Sequence, residues 1–177
     1  MLPNESTFLE RLYHTNFPRL RNYALLHVHN PAHAEELVQD TFHEASRKIK
    51  DVIEHPHPDA WLTRTLENKI LNYKRAAANE IARFLSLDDE SILVLATTQS
   101  AEDTAIASLE FDRTYKKIES LLSKEQLYIL RRIVFEKASH LEVAKELHIS
   151  VWSCQKKLER ARNKLDKYFP GHRKKKK

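Results

Sequence analysis

A chain with a single glycine has few ways to turn its backbone sharply. Gly171 is the only glycine in 177 residues. Tight hairpins and many sheet bulges use glycine at positive φ, so this scarcity disfavours β-architecture and predicts an all-α fold. It also removes glycine-rich phosphate loops and dinucleotide fingerprints. Hydrophobic residues at 41% and charged residues at 31% suit a globular chain with real cores. The length accommodates one domain or two small ones.

Helical periodicity and its interruptions set the organisation. In "ESTFLERLYHTNF", Phe8, Leu9, Leu12 and Tyr13 fall at helical spacing, and Pro18 is expected to end this helix and start another, "PRLRNYALLHVH". Asn30 is a suitable N-cap with Pro31 following. Ala34, Leu37, Val38, Thr41, Phe42, Ala45 and Ile49 then make one apolar stripe. "EHPHPD" must break the pattern, since closely spaced prolines do not sit inside a helix. A long helix follows from about Asp59 to Leu85, carrying Trp61, Leu62, Leu66, Ile70 and Tyr73. We therefore expect two small helical domains: 1–85, an acidic linker at 86–103, a second domain at 104–169, and a basic tail at 170–177.

Charge is segregated along this plan. Formal net charge is +5, and the tail Arg173 to Lys177 accounts for all of it. Between Ser86 and Asp112 lie Asp88, Asp89, Glu90, Glu102, Asp103, Glu110 and Asp112 with no Lys or Arg. Between Ser150 and Phe169, Lys156, Lys157, Arg160, Arg162, Lys164 and Lys167 face only Glu159 and Asp166. Such asymmetry points to separate tasks, with the basic segment suited to a polyanion.

In the second domain, Ser139 and Glu142 fit a capping box, and the helix they open ends near Leu147. "HIS" leaves a three-residue turn, and Ser150 caps the next helix. Two helices so joined form a helix-turn-helix, whose second helix often enters the DNA major groove. Phased from Ser150, the stripe Cys154, Leu158, Ala161 and Leu165 faces a core. Trp152, Gln155, Lys156, Glu159, Arg160 and Asn163 face outward. Gln pairs with adenine, Arg with guanine and Glu with cytosine N4. Lys157, Arg162, Lys164 and Lys167 suit phosphates. Trp152 either packs against the preceding helix or meets a thymine methyl.

"AEELVQDTFHEASRKI" and "AWLTRTLENKILNYKR" resemble the core-binding and promoter-melting segments of bacterial sigma factors of the extracytoplasmic-function class, in the sigma-70 family. "LSKEQLYILRRIVFEKASHLEVAKELHISVWSCQKKLERARNKL" resembles that family's fourth region, so the resemblance covers about residues 5–169. It implies a transcription initiation factor. Glu36, Gln39, Asp40 and Phe42, on the helix 32–50, would dock on the clamp helices of core RNA polymerase. Trp61, Arg64, Asn68, Asn72, Tyr73 and Arg75 would open the minus-ten element and hold a flipped base, with Lys69 and Lys74 as further backbone contacts. Stacking aromatics, amides and cations are what melted strands require. Gln155, Lys156, Glu159 and Arg160, with Trp152, Lys157 and Arg162, would read the minus-thirty-five duplex. The acidic linker would thread the polymerase's RNA-exit path, and an anti-sigma factor is the further partner implied. The chain departs from the family pattern at Lys137 and Trp152, where glycine is usual, and at Asn72, where aspartate is frequent.

Other functions find less support. Single Cys154 allows neither an internal disulfide nor Cys-based zinc spacing. "HVHNPAH" and "HPH" lack metal-ligand spacing, and His27 and His29 point to different helix faces. The expectation is no enzyme, no metal and no cofactor. No apolar run is long enough for a bilayer and the opening segment does not read as a signal peptide, so a cytoplasmic protein without membrane insertion is expected. The alternative function is a helix-turn-helix regulator acting on duplex DNA without being a sigma subunit. It would need neither the aromatic and asparagine residues of helix 59–85 nor the acidic linker.

Overall fold

The computed structural model describes residues 3–28, 30–85 and 101–169. Most of the acidic linker and all of the basic tail lie outside these. Every regular element among the described residues is helical. The elements are α1 (Pro3–Val28), α2 (Pro31–Arg47), α3 (Ile49–Glu54), α4 (Pro58–Leu85), α5 (Ala101–Leu121), α6 (Lys124–Leu130), a π-helical turn (Arg131–Phe135), α7 (His140–Glu146) and α8 (Val151–Tyr168). The all-α expectation holds. The chain divides into two compact units between Lys74 and Arg75, a point inside α4.

In the first unit, Leu12, Leu20, Ala24 and Val28 of α1 close on Ala34, Val38, Phe42 and Ala45 of α2 and on Leu62, Leu66 and Ile70 of α4. Each fully buried large side chain contributes roughly 1.5–3 kcal/mol, and these stripes hold the unit together. Tyr13 stacks on Phe17 at 4.8 Å and meets the Phe42 ring at 4.8 Å. Buried Asn16 is satisfied by donating to Leu12 O at 3.1 Å and to Asp59 Oδ1 at 2.7 Å, which fixes the start of α4 against α1. The cap of α2 is as expected: Asn30 Oδ1 accepts from Ala32 N at 3.0 Å.

Pro18 does not divide α1, contrary to expectation; the helix runs through it. An interior proline costs about 3 kcal/mol. Pro18 lies on the exposed side, as does His14, whose carbonyl has no amide to accept from at position 18. The opposite side keeps its full apolar stripe, and that burial outweighs the local cost. "EHPHPD" does break the helical run, and there His55 Nδ1 accepts from His57 N at 3.0 Å.

In the second unit, Ala77, Ala78, Ile81 and Leu85 pack with Phe111, Tyr115 and Ile118 of α5, Leu130, Val134, and Ala161 and Leu165 of α8. A smaller cluster of Ile129, Val143, Ala144 and Cys154 lies between α6, α7 and the start of α8. Ser139 and Glu142 make the expected capping box on α7, and Ser123 with Gln126 makes another on α6. Helix α7 ends in a Schellman arrangement. His148 N donates to Lys145 O at 3.2 Å and Ile149 N to Ala144 O at 2.9 Å, with His148 itself at φ 53°. Ser150 Oγ then accepts from Ser153 N at 3.1 Å and opens α8.

Candidate nucleic-acid interface

Three exposed faces gather the residues singled out by sequence. On α4, Leu62, Leu66 and Ile70 are inward, which leaves Arg64, Asn68 and Asn72 outward at four-residue intervals. These three form one exposed ladder. Arg64 reaches Glu67 at 3.4 Å, a surface pair that polyanion could displace at little cost. Trp61 and Tyr73 stand at the two ends of this stretch of α4, both half-buried against the first core. The Tyr73 ring lies 5.4 Å from the His33 ring. Arg75 is half-buried and belongs to the second unit.

Lys74 must be removed from the strand-binding set. It is wholly buried, with 0% exposure, so no phosphate can reach it. Its place was legible: 62, 66, 70 and 74 continue one four-residue stripe, and the stripe carries an apolar face. Lys69 is turned aside as well, pairing with Glu44 at 3.2 Å. That contact and the Lys48 hydrogen bond, the larger influence, hold the Glu44 carboxyl below its ordinary range.

On α2, Glu36, Gln39 and Asp40 are exposed, while Phe42 is buried in the core, as its place in the apolar stripe implies, and so leaves the docking set. Gln39 Nε2 donates to Glu35 Oε1 at 3.4 Å, and His33 Nδ1 lies 3.2 Å from Glu36 Oε2. The face is polar with acidic character.

On α8, Cys154, Ala161 and Leu165 are fully buried. Burial raises the Cys154 thiol above its ordinary pKa, with Glu125 adding to it, so this cysteine is a small core residue and not a nucleophile. Trp152, Gln155, Glu159 and Arg160 are exposed. Lys156 Nζ donates to Glu159 Oε2 at 2.7 Å, which keeps the Glu159 carboxyl below its usual range. An ionised Glu159 only accepts hydrogen bonds, as an amino group on a base edge requires.

Lys157 and Arg162 sit on opposite flanks of this face, with intramolecular partners. Lys157 Nζ pairs with Glu125 Oε2 at 2.6 Å, and the Arg162 guanidinium lies 5.7 Å from the Phe84 ring centroid. Beside Lys157, Arg160, Lys164 and Lys167 with Ser123 and Gln126 line an open concavity of about 470 Å³. Its basic lining suits a phosphate, while the Glu125 carboxylate tempers it.

The α7–α8 pair is braced from behind. Arg132 Nε donates to Glu146 Oε2 at 3.0 Å, its Nη2 reaches Glu146 Oε1, and Nη1 reaches Glu136. Tyr128 Oη donates to the same Glu146 at 2.9 Å. Sequence reading missed this brace, since residues 14 and 18 positions apart carry no local periodicity.

The family model for sigma-70 region 2 matches residues 12–80, the segment that contains the α2 face and the α4 ladder. This segment is similar to sigma-70 region 2, which supports a sigma factor role in transcription initiation. No curated protein matches the chain. A sigma-70 protein serves transcription initiation, with RNA polymerase and promoter DNA as partners, and the family consists of non-enzymatic transcription factors. A regulator unrelated to sigma factors would lack this segment. Among the described residues, no three His, Cys, Asp or Glu side chains cluster to hold a metal ion. No described helix is long and apolar enough to cross a membrane.

Proposed function

We propose that this protein is a cytoplasmic initiation factor of the sigma-70 family's extracytoplasmic-function class, directing core RNA polymerase to specific promoters by two separate DNA contacts. The α2 face, Glu36, Gln39 and Asp40, docks on the polymerase clamp helices. The α4 ladder, Arg64, Asn68 and Asn72, with Trp61, Tyr73 and Arg75, takes the melted minus-ten strand. The helix-turn-helix of α7 and α8 reads the minus-thirty-five duplex through Gln155, Lys156, Glu159 and Arg160. Lys157 and Arg162 lend flanking phosphate contacts if their internal partners yield. The acidic segment 86–103 carries a charge that suits a basic channel on the polymerase. An anti-sigma factor is the regulatory partner this class brings.

The observation that carries this reading is the Arg64–Asn68–Asn72 ladder between two half-buried aromatics, inside the segment that matches sigma region 2. A cation, two amides and two aromatic edges meet the backbone, base edges and base faces of a single strand. A duplex-only binder has no use for such a set. The test is binding of core RNA polymerase to the full chain and to Glu36→Lys/Asp40→Lys. Charge reversal on the α2 face should weaken the complex by at least tenfold without changing the unfolding midpoint. Undiminished affinity contradicts the docking assignment.

A further inference from the structure

Trp152 is 67% exposed in the first turn of α8. The small core beneath that turn is filled by Val151, Cys154 and Leu158, without the indole. Its neighbours on the outward face are the exposed Gln155 and Glu159, so the indole is the one large apolar group on a polar face. The packing alternative for Trp152 therefore falls away.

We propose that Trp152 buries the 5-methyl group of a thymine at one end of the duplex element that α8 reads, and thereby sets base preference there. The proposal rests on α8 being the duplex-reading helix. Indole offers one N–H donor and no acceptor, so it cannot replace the amide or guanidinium pairings made by polar side chains. Among base-pair edges in the major groove, the thymine methyl is the single apolar group. Trp152 lies one helical turn nearer the α8 N-terminus than Gln155, ~4.5 Å along the helix axis, so the thymine neighbours the base pair facing Gln155 on that side. Removing one methyl from such a contact weakens binding roughly fourfold.

The test uses holoenzyme assembled from core RNA polymerase and the full chain. A promoter is selected from randomised duplexes, and each thymine of its upstream element is replaced in turn by deoxyuridine, which deletes only the methyl. We expect one position where the replacement weakens the wild-type complex about fourfold. Trp152→Ala should bind the thymine template less tightly and be indifferent to deoxyuridine at that position, with an unchanged unfolding midpoint. Equal deoxyuridine sensitivity in both proteins, or no sensitive thymine, overturns the proposal. So does a Trp152→Ala protein that loses affinity for core enzyme while keeping the deoxyuridine response, since the indole would then be a polymerase contact. Failure of the underlying reading looks different: wild-type protein forms no core-dependent complex on any template, and the thymine contact falls with it.

Discussion

Arg132 grips Glu146 with two nitrogens, Nε at 3.0 Å from one carboxylate oxygen and Nη2 on the other, and Tyr128 Oη adds a third bond at 2.9 Å. This fork ties the C-terminal end of α7 to α6 and the π-helical turn, and so sets the angle at which α8 departs. Hydrogen bonds from Arg132 first, then Tyr128, hold the Glu146 carboxyl below its ordinary range. A carboxyl with a depressed folded-state pKa stabilises the fold fully above its unfolded value, near 4.5. The contribution is lost as pH falls through the lower folded value. Glu146→Gln should therefore lower the thermal midpoint at neutral pH and match wild type more closely as pH drops toward ~3. Melting curves across that range check it; an equal deficit at all pH values would contradict it.

Among the described residues, Lys137 at φ 57° and His148 at φ 53° hold left-handed backbone without being glycine. Such a conformation costs a side-chain-bearing residue roughly 1 kcal/mol. His148→Gly should raise stability by about 1 kcal/mol less the entropy that glycine adds to the unfolded chain. Lys137→Gly should gain less, because it also gives up the ion pair with Glu80. Urea unfolding of the two variants orders them.

The exposed ladder separates function from stability. Asn68→Ala and Asn72→Ala replace a mediocre helix former by the best one at exposed positions, so stability should hold or rise by a few tenths of a kcal/mol. Open-complex formation should fall about tenfold for each, if each amide holds an unpaired base. Permanganate footprinting of the melted region reads the loss directly.

Lys74 should behave in the opposite way. Lys74→Ala removes a wholly buried side chain and is expected to cost about 2–4 kcal/mol. It should leave the salt dependence of promoter binding unchanged, because a buried ammonium releases no counterion from DNA. Arg64→Ala should do the reverse, lowering the salt slope with little effect on the unfolding midpoint.

What was legible in the sequence follows from what is local. The glycine scarcity, the caps at Asn30, Ser139 and Ser150, and the inward phase of Cys154 all depend on residues within a turn of one another. Each is present as expected. The helix continues through Pro18 because tertiary burial, invisible to local sequence, overrides the local cost of the proline. Lys74 reads as a surface cation by residue type, but its four-residue register with Leu62, Leu66 and Ile70 places it inside. The Arg132–Glu146 fork and the Lys157–Glu125 pair needed the fold, since they join residues far apart in the chain. Lys137 stands where the resembled family usually has glycine, and its left-handed backbone is the conformation that glycine favours. His148 carried no comparable signal.

Run-off transcription with core RNA polymerase on a selected promoter tests most directly whether the protein confers promoter selectivity through two separate faces. Wild type should yield a discrete transcript absent with core enzyme alone. Asn68→Ala/Asn72→Ala should retain closed complexes but lose the transcript, while Gln155→Ala/Arg160→Ala should lose the closed complex itself. A transcript of undiminished yield from either double variant would contradict the account.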